Sequence, residues 1–215
     1  MVKVKICGIT REEDLTAAVE AGADALGFVV GVPSSPRNLP LSKAHRLISK
    51  IPSSIESVAV TVFQDKEQLH QIYGKTEPDY LQLHGDLRHI LGFASDLSFK
   101  TRIVGAVNAR SANALELATE YSSVFASILL DTAGNDEGGG TGVPHDWNLS
   151  KRIRETIYPT PLLLAGGLTP ENVGDAIRKV KPYGVDVSSG VEIQPGIKDR
   201  EKILKFIENA KETEI

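Results

Sequence analysis

A single cysteine stands among the 215 residues, beside one methionine and one tryptophan. A lone cysteine cannot close a disulfide within the chain, so the fold must rest on its core, and a reducing compartment is the simplest setting. No apolar stretch reaches the roughly 20 residues that a membrane-crossing helix requires. The N-terminus enters a strand-like run directly, without the charged segment and apolar core of a signal peptide, so a soluble, cytoplasmic protein without membrane partners is expected. A basic surplus is also missing. Lys and Arg number 24 against 28 Asp and Glu, for a formal net charge of -4, which argues against general nucleic-acid binding. His45, His70, His89 and His145 fall on helices or loops without metal-site spacing, and no metal or cofactor is expected. No linker or low-complexity tract divides the chain.

What is present is a core for one domain: 41% hydrophobic and 24% charged residues, a composition that disfavours disorder. Short apolar runs at 2–7, 25–30, 56–63, 79–84, 100–107, 126–132, 161–166 and 184–189 read as strands. Between and after them, amphipathic stretches at 11–22, 41–51, 65–75, 86–95, 111–122, 148–157, 169–180 and 198–211 read as helices. Thr10 and Thr169 are expected to cap the first and seventh helices, with Pro170 at a first helical position, and Gly22 to end the first helix. The fourth helix carries Gly92 and should be short. Eight strands and eight helices in strict alternation predict an α/β fold, a single (β/α)8 TIM barrel over residues 1–215. An open doubly wound sheet would share the alternation, but no GxGxxG turn follows the first strand.

In such a barrel the chemistry collects at the C-terminal ends of the strands. Those ends carry Cys7, Arg37 in the loop after strand two, Gln82 and His84, Asp131, Gly166 and Gly167, and Ser188, Ser189 and Gly190. Alternation along strand one puts Lys5 on the face of Cys7, one layer deeper. A buried lysine needs a partner, and strand eight, next to strand one in a closed barrel, offers Asp186. Gly166-Gly167 and Ser188-Ser189-Gly190 let backbone N–H groups approach an anion after the last two strands, where barrels often bind phosphate. On position alone, Cys7 is equally a reactive thiol or an inert core residue.

Several motifs together carry a resemblance. They are Lys5-Ile6-Cys7-Gly8-Ile9-Thr10, Ser35-Pro36-Arg37, Leu81-Gln82-Leu83-His84-Gly85, Leu130-Asp131-Thr132, Gly139-Gly140-Thr141-Gly142, Asp146-Trp147, Leu164-Ala165-Gly166-Gly167-Leu168, Pro170-Glu171-Asn172-Val173, Val185-Asp186-Val187-Ser188-Ser189-Gly190-Val191-Glu192 and Gly196-Ile197-Lys198-Asp199. In this order they span the chain, which resembles the phosphoribosylanthranilate isomerases. Val29-Val30-Gly31-Val32 departs from that likeness in lacking aromatic residues beside Ser-Pro-Arg.

The resemblance implies an Amadori rearrangement of N-(5′-phosphoribosyl)anthranilate in tryptophan biosynthesis. The substrate is a small phosphorylated molecule, and no cofactor is needed. Cys7 would be the base that removes the C2′ proton, with the N-terminus of the first helix lowering its pKa. Asp131 would be the acid for the ring oxygen, holding a proton when substrate is bound. Arg37 would pair with the anthranilate carboxylate. Asp186 would contact a sugar hydroxyl or the reacting amine, and Gln82 and His84 would face or support the substrate. Trp147 is expected as a packing anchor, and the glycines from 138 to 142 as a lid. Another sugar-phosphate isomerase or epimerase, or a non-catalytic phosphate-ligand barrel, would share the fold, and either a monomer or a homodimer is compatible with it.

Overall fold

The computed structural model describes residues 1–91, 102–132 and 146–214. Eight parallel strands close into a barrel in chain order: β1 (Lys3–Ile6), β2 (Ala25–Val29), β3 (Glu56–Val62), β4 (Tyr80–His84), β5 (Ile103–Asn108), β6 (Ser127–Asp131), β7 (Leu162–Leu164) and β8 (Gly184–Val187). Closure comes from β1 pairing with β8, in a register that sets Lys5 opposite Asp186. Helices α1 (Glu12–Glu20), α2 (Leu41–Ile48), α3 (Lys66–Thr76), α4 (Arg88–Leu91), α5 (Ala114–Ser122), α6 (Trp147–Ile157), α7 (Val173–Val180) and α8 (Arg200–Glu212) follow the strands in turn. After β8 the chain makes a 3-10 turn at Ser189–Val191. A small antiparallel hairpin, β9 (Glu192–Gln194) and β10 (Ile197–Lys198), then precedes α8.

The strands read as unbroken apolar runs because both of their faces are buried. Their outer faces, through residues such as Ile6, Phe28, Leu83 and Leu130, form one core with the inner stripes of the helices. In α7 that stripe is Val173, Ala176, Ile177 and Val180, and in α8 it is Ile203, Phe206, Ile207 and Ala210, the spacing of one helical face. Inside the barrel lie two smaller apolar clusters. Cys7, Ala25, Val58 and Val60 form one on the β1–β3 side, and Val104, Ala106, Leu129 and Ala165 form the other on the β5–β7 side.

Two expected caps are corrected. The first helix begins at Glu12 with Arg11 in the capping position, and the Thr10 hydroxyl instead donates to the Gly196 carbonyl at 2.6 Å. The seventh begins at Val173, because Thr169 closes a turn in which its own N–H donates to Asn172 Oδ1 and its Oγ1 accepts from the Glu171 N–H. Carboxylates cap elsewhere: Asp65 accepts from the Gln68 N–H, Asp146 from Asn148, and Asp199 from Glu201 and Lys202. Gly22 does follow the first helix, at φ 87°. Gly92 and the glycines from 138 to 142 lie outside the described residues, while Trp147 opens α6 and packs partly buried on the core.

Candidate active site

The C-terminal mouth of the barrel gathers polar groups from most of its strands. Cys7 follows β1 and is buried. Its N–H donates to the Val187 carbonyl at 2.8 Å, so the first strand is still joined to the last at the level of the thiol. Two residues deeper, the Lys5 ammonium donates to Asp186 Oδ1 at 2.9 Å and to Gln82 Oε1 at 3.0 Å. It thus reaches from the β1–β8 seam to β4. The expected Lys5–Asp186 contact is therefore present, and Gln82 joins it.

Gln82 extends the chain of bonds to His84, with 2.9 Å between Gln82 Nε2 and His84 Nε2. Because Gln82 Oε1 already accepts from Lys5, its amide nitrogen is the donor and His84 Nε2 the acceptor. The imidazole is then neutral, with its proton on Nδ1. Burial, opposed by the nearby Asp131 charge, lowers the His84 pKa in the same sense.

Around Cys7 the electrostatics compete. Burial pushes the thiol above its ordinary value, Lys5 pulls it down, Asp186 pushes it up and Lys198 pulls it down, and the net direction is up. The sequence also points to the first helix as a source of lowering. That helix starts five residues on, with Glu12, Glu13 and Asp14 in its first turn, and the opposing cations are two lysines.

Arg37 lies over Gly8, where φ is +76° and a Cβ would meet Arg37 Cδ at 2.6 Å. Its guanidinium forks the Glu192 carboxylate, Nε to Oε1 at 2.8 Å and Nη2 to Oε2 at 2.6 Å. Lys198 Nζ donates to Glu192 Oε1 at 2.9 Å and to the Ser188 carbonyl at 3.1 Å. Burial raises the Glu192 carboxyl, but the Arg37 hydrogen bonds and the Lys198 charge outweigh it and hold the group below its ordinary value. The sequence reading assigned no role to Glu192 or Lys198. The signal available was their place in the Val191-Glu192 and Ile197-Lys198 stretches, which the hairpin folds back onto the mouth.

Asp131 ends β6, opposite Asn108 of β5, and its Oδ1 accepts from the Thr132 N–H at 2.6 Å. Together with His84, Asn108, Arg88 and Ser111 it lines a cleft of about 250 Å³. Three strand steps round the barrel separate it from Cys7, which sets the two groups across the mouth.

Gly166 and Gly167 turn at φ 80° and 68°. The β7 and β8 loops press together at Gly190, where a Cβ would lie 2.0 Å from the Leu168 carbonyl oxygen. Among the described residues, no backbone acceptor takes the N–H of Gly166, Gly167, Ser189 or Gly190. These residues follow the last two strands. Of the residues expected at the site, Lys5, Gln82, His84 and Asp186 form one network. Arg37 joins another with Glu192, and Asp131 stands on the far rim.

A closed parallel barrel with a thiol, a carboxylate and two glycine loops at the ends of its strands has the architecture of a (β/α)8-barrel enzyme. Comparison with known proteins gives the family. The family model for N-(5'phosphoribosyl)anthranilate (PRA) isomerase matches residues 4–209. The N-(5'-phosphoribosyl)anthranilate isomerase of Haloferax volcanii is 40% identical over 213 residues, covering 98% of this chain and 94% of its own. The crystal structure of phosphoribosyl anthranilate isomerase from Thermotoga maritima superposes with a TM-score of 0.86 at 38% identity, covering 98% of this chain and 99% of its own. A structure of such an enzyme in complex with reduced 1-(o-carboxyphenylamino)-1-deoxyribulose 5-phosphate gives 0.82 at 37% identity, with coverage of 98% and 99%. The chain belongs to the N-(5'-phosphoribosyl)anthranilate isomerase family.

Proposed function

We propose that Cys7 and Asp131 are the base and the acid of this family's isomerisation. The reaction converts N-(5′-phosphoribosyl)anthranilate to 1-(2-carboxyphenylamino)-1-deoxyribulose 5-phosphate, an aldose–ketose step of tryptophan biosynthesis. The observation that carries the assignment is the placement of a thiol at the end of β1 and a carboxylate at the end of β6. They face across a mouth whose β7 and β8 loops offer uncommitted amides.

Asp131 protonates the ring oxygen as the aminoaldose opens to a Schiff base. Cys7 takes the C2′ proton, and the enolamine that results becomes the aminoketose. The loops at Gly166-Gly167 and Ser188-Ser189-Gly190 hold the phosphate through backbone N–H groups. Arg37, steadied by Glu192, receives the anthranilate carboxylate. Asp186 lies close enough to Cys7 to meet the C2′ hydroxyl, and Gln82 and His84 set the orientation of Lys5 and Asp186. The ligand named in the solved relative carries both anions this arrangement needs, a phosphate and an aromatic carboxylate. We assign the enzyme to the cytoplasm, where its single thiol stays reduced.

Loss of the anthranilate substrate's fluorescence reads turnover directly. Cys7→Ala and Asp131→Asn should each lower kcat by roughly a hundredfold or more, the scale of general acid–base catalysis, while remaining folded by circular dichroism. Near-wild-type turnover in either variant refutes that assignment. If the native chain binds phosphate ligands but shows no turnover, or isomerises only another sugar phosphate, the reading fails as a whole.

A further inference from the structure

The isomerisation assigns no step to Lys5, yet this cation is held inside the barrel with its side chain only 4% exposed. Asp186 on β8 and Gln82 on β4 fix its ammonium, and its side chain and the Cys7 sulfur both border the backbone of Gly27. Gly27 on β2 keeps the slot open. A Cβ there would sit 2.7 Å from Cys7 Sγ and 3.2 Å from Lys5 Cε. An apolar pair of similar volume would hold the barrel as well, because burying two charges costs more desolvation than their attraction readily returns. Stability therefore does not explain the cation, and its neighbour does.

We propose that Lys5 is a positioning residue for Cys7: its ammonium supports the thiolate that removes the C2′ proton, and the Asp186 carboxylate competes with the sulfur for that ammonium. The proposal rests on the reading of Cys7 as the base. The charged groups facing the sulfur are Lys5 on its own strand, Asp186 on β8, Lys198 on β10 and Arg37 after β2. β2 and β3 contribute the apolar Ala25, Val58 and Val60 to its cluster, with Gly27 beside them, and His84 on β4 faces Lys5 and Asp186 as a neutral ring. In the step itself the sulfur lone pair takes the C2′ proton. The C–H pair becomes the C1′=C2′ bond, and the C1′=N π pair moves to nitrogen. Sulfur ends as thiol, Lys5 keeps its proton, and its ammonium then leans on Asp186.

Cys7 is the chain's only cysteine, so alkylation by iodoacetamide reports this one thiol. Its rate is followed against pH in the ligand-free wild type and in Lys5→Met, Lys5→Arg and Asp186→Asn, with kcat and KM for each. Lys5→Met should slow alkylation at pH 8 by about tenfold, one pKa unit in the thiolate, and lower kcat with KM nearly unchanged. Lys5→Arg should recover most of both. Asp186→Asn leaves the thiolate as the anion opposite Lys5, so its profile should move to lower pH and alkylation at pH 7 should quicken several-fold. A purely structural lysine would not produce shifts of opposite sign. Superimposed profiles for Lys5→Met and wild type overturn the proposal, as does a shift of Asp186→Asn to higher pH. Asp186→Asn decides alone should Lys5→Met fail to fold. Near-wild-type turnover in Cys7→Ala would instead remove the base reading beneath the proposal, which the alkylation profiles test independently.

Discussion

A buried group acquires its behaviour from its neighbours, and at the mouth of this barrel those neighbours come from distant parts of the chain. Cys7 is pushed towards the thiol by burial and drawn back by two lysines, so its reactivity is set by residues 5, 186 and 198 as much as by itself. Half of this was legible in the sequence. Period-two alternation placed Lys5 beneath Cys7, and the adjacency of first and last strands brought Asp186 to it, so simple parity sufficed. Glu192 and Lys198 were not legible in the same way. Their partners Arg37 and Ser188 are set by the path of an irregular hairpin, for which no periodic pattern exists. Arg37 makes the residue-scale prediction. If its guanidinium receives the substrate carboxylate, Arg37→Ala should raise KM roughly tenfold or more while kcat changes little, since a hydrogen bond to a charged group contributes about 1.5–3 kcal/mol. Initial rates across substrate concentration check it, and an unchanged KM would remove Arg37 from the binding role.

The elements were easier to read than their ends. Parallel strands buried on both faces and helices with one apolar stripe write their periods into the sequence, and all eight pairs stand where those periods put them. The boundaries failed where a hydroxyl had two possible partners. Thr10 and Thr169 look like caps in isolation, but Thr10 bonds to Gly196 and Thr169 closes its own turn with Asn172 and Glu171. A tertiary or turn bond outcompeted the local one. A similar side-chain bond ties neighbouring elements together at Tyr121 of α5, whose hydroxyl accepts from the buried Leu87 N–H at 3.0 Å, just ahead of α4. Its ring meets Phe125 edge to face, 5.6 Å between centroids. Tyr121→Phe keeps the ring and leaves the amide unpaired, which should cost about 1–3 kcal/mol. Urea unfolding measures this, and an unchanged midpoint would show that the amide finds another partner.

For the molecule as a whole, the Arg37–Glu192–Lys198 cluster fastens the loop after β2 to the hairpin after β8 across the barrel's seam. Its stability contribution has a definite sign with pH. The Glu192 carboxyl lies below its ordinary value in the folded chain, so the folded state binds fewer protons than the unfolded one in that range. The contribution is therefore complete above roughly pH 4.3, the unperturbed glutamate value, and is lost as pH falls through the lower folded value. Glu192→Gln removes the anion from between two buried cations and should cost about 3–5 kcal/mol at pH 7. The gap from wild type should narrow in unfolding measured below pH 4. A gap that stays constant down to pH 3 would show that the carboxylate is not what the cluster relies on.

The seam has one more consequence, and it concerns time. Along the chain the thiol comes about 180 residues or more before Asp186, Ser188, Glu192 and Lys198, so synthesis reaches it long before them. Until β8 and the hairpin after it have been made, the first strand lacks the edge that closes the barrel and the thiol lacks most of the charges around it. Non-local pairings of this kind form late, because the long loop must close before the contact rewards it. A chain that stops short of β8 thus carries the thiol without its charged neighbours, and a competent site arises only once the seam has closed.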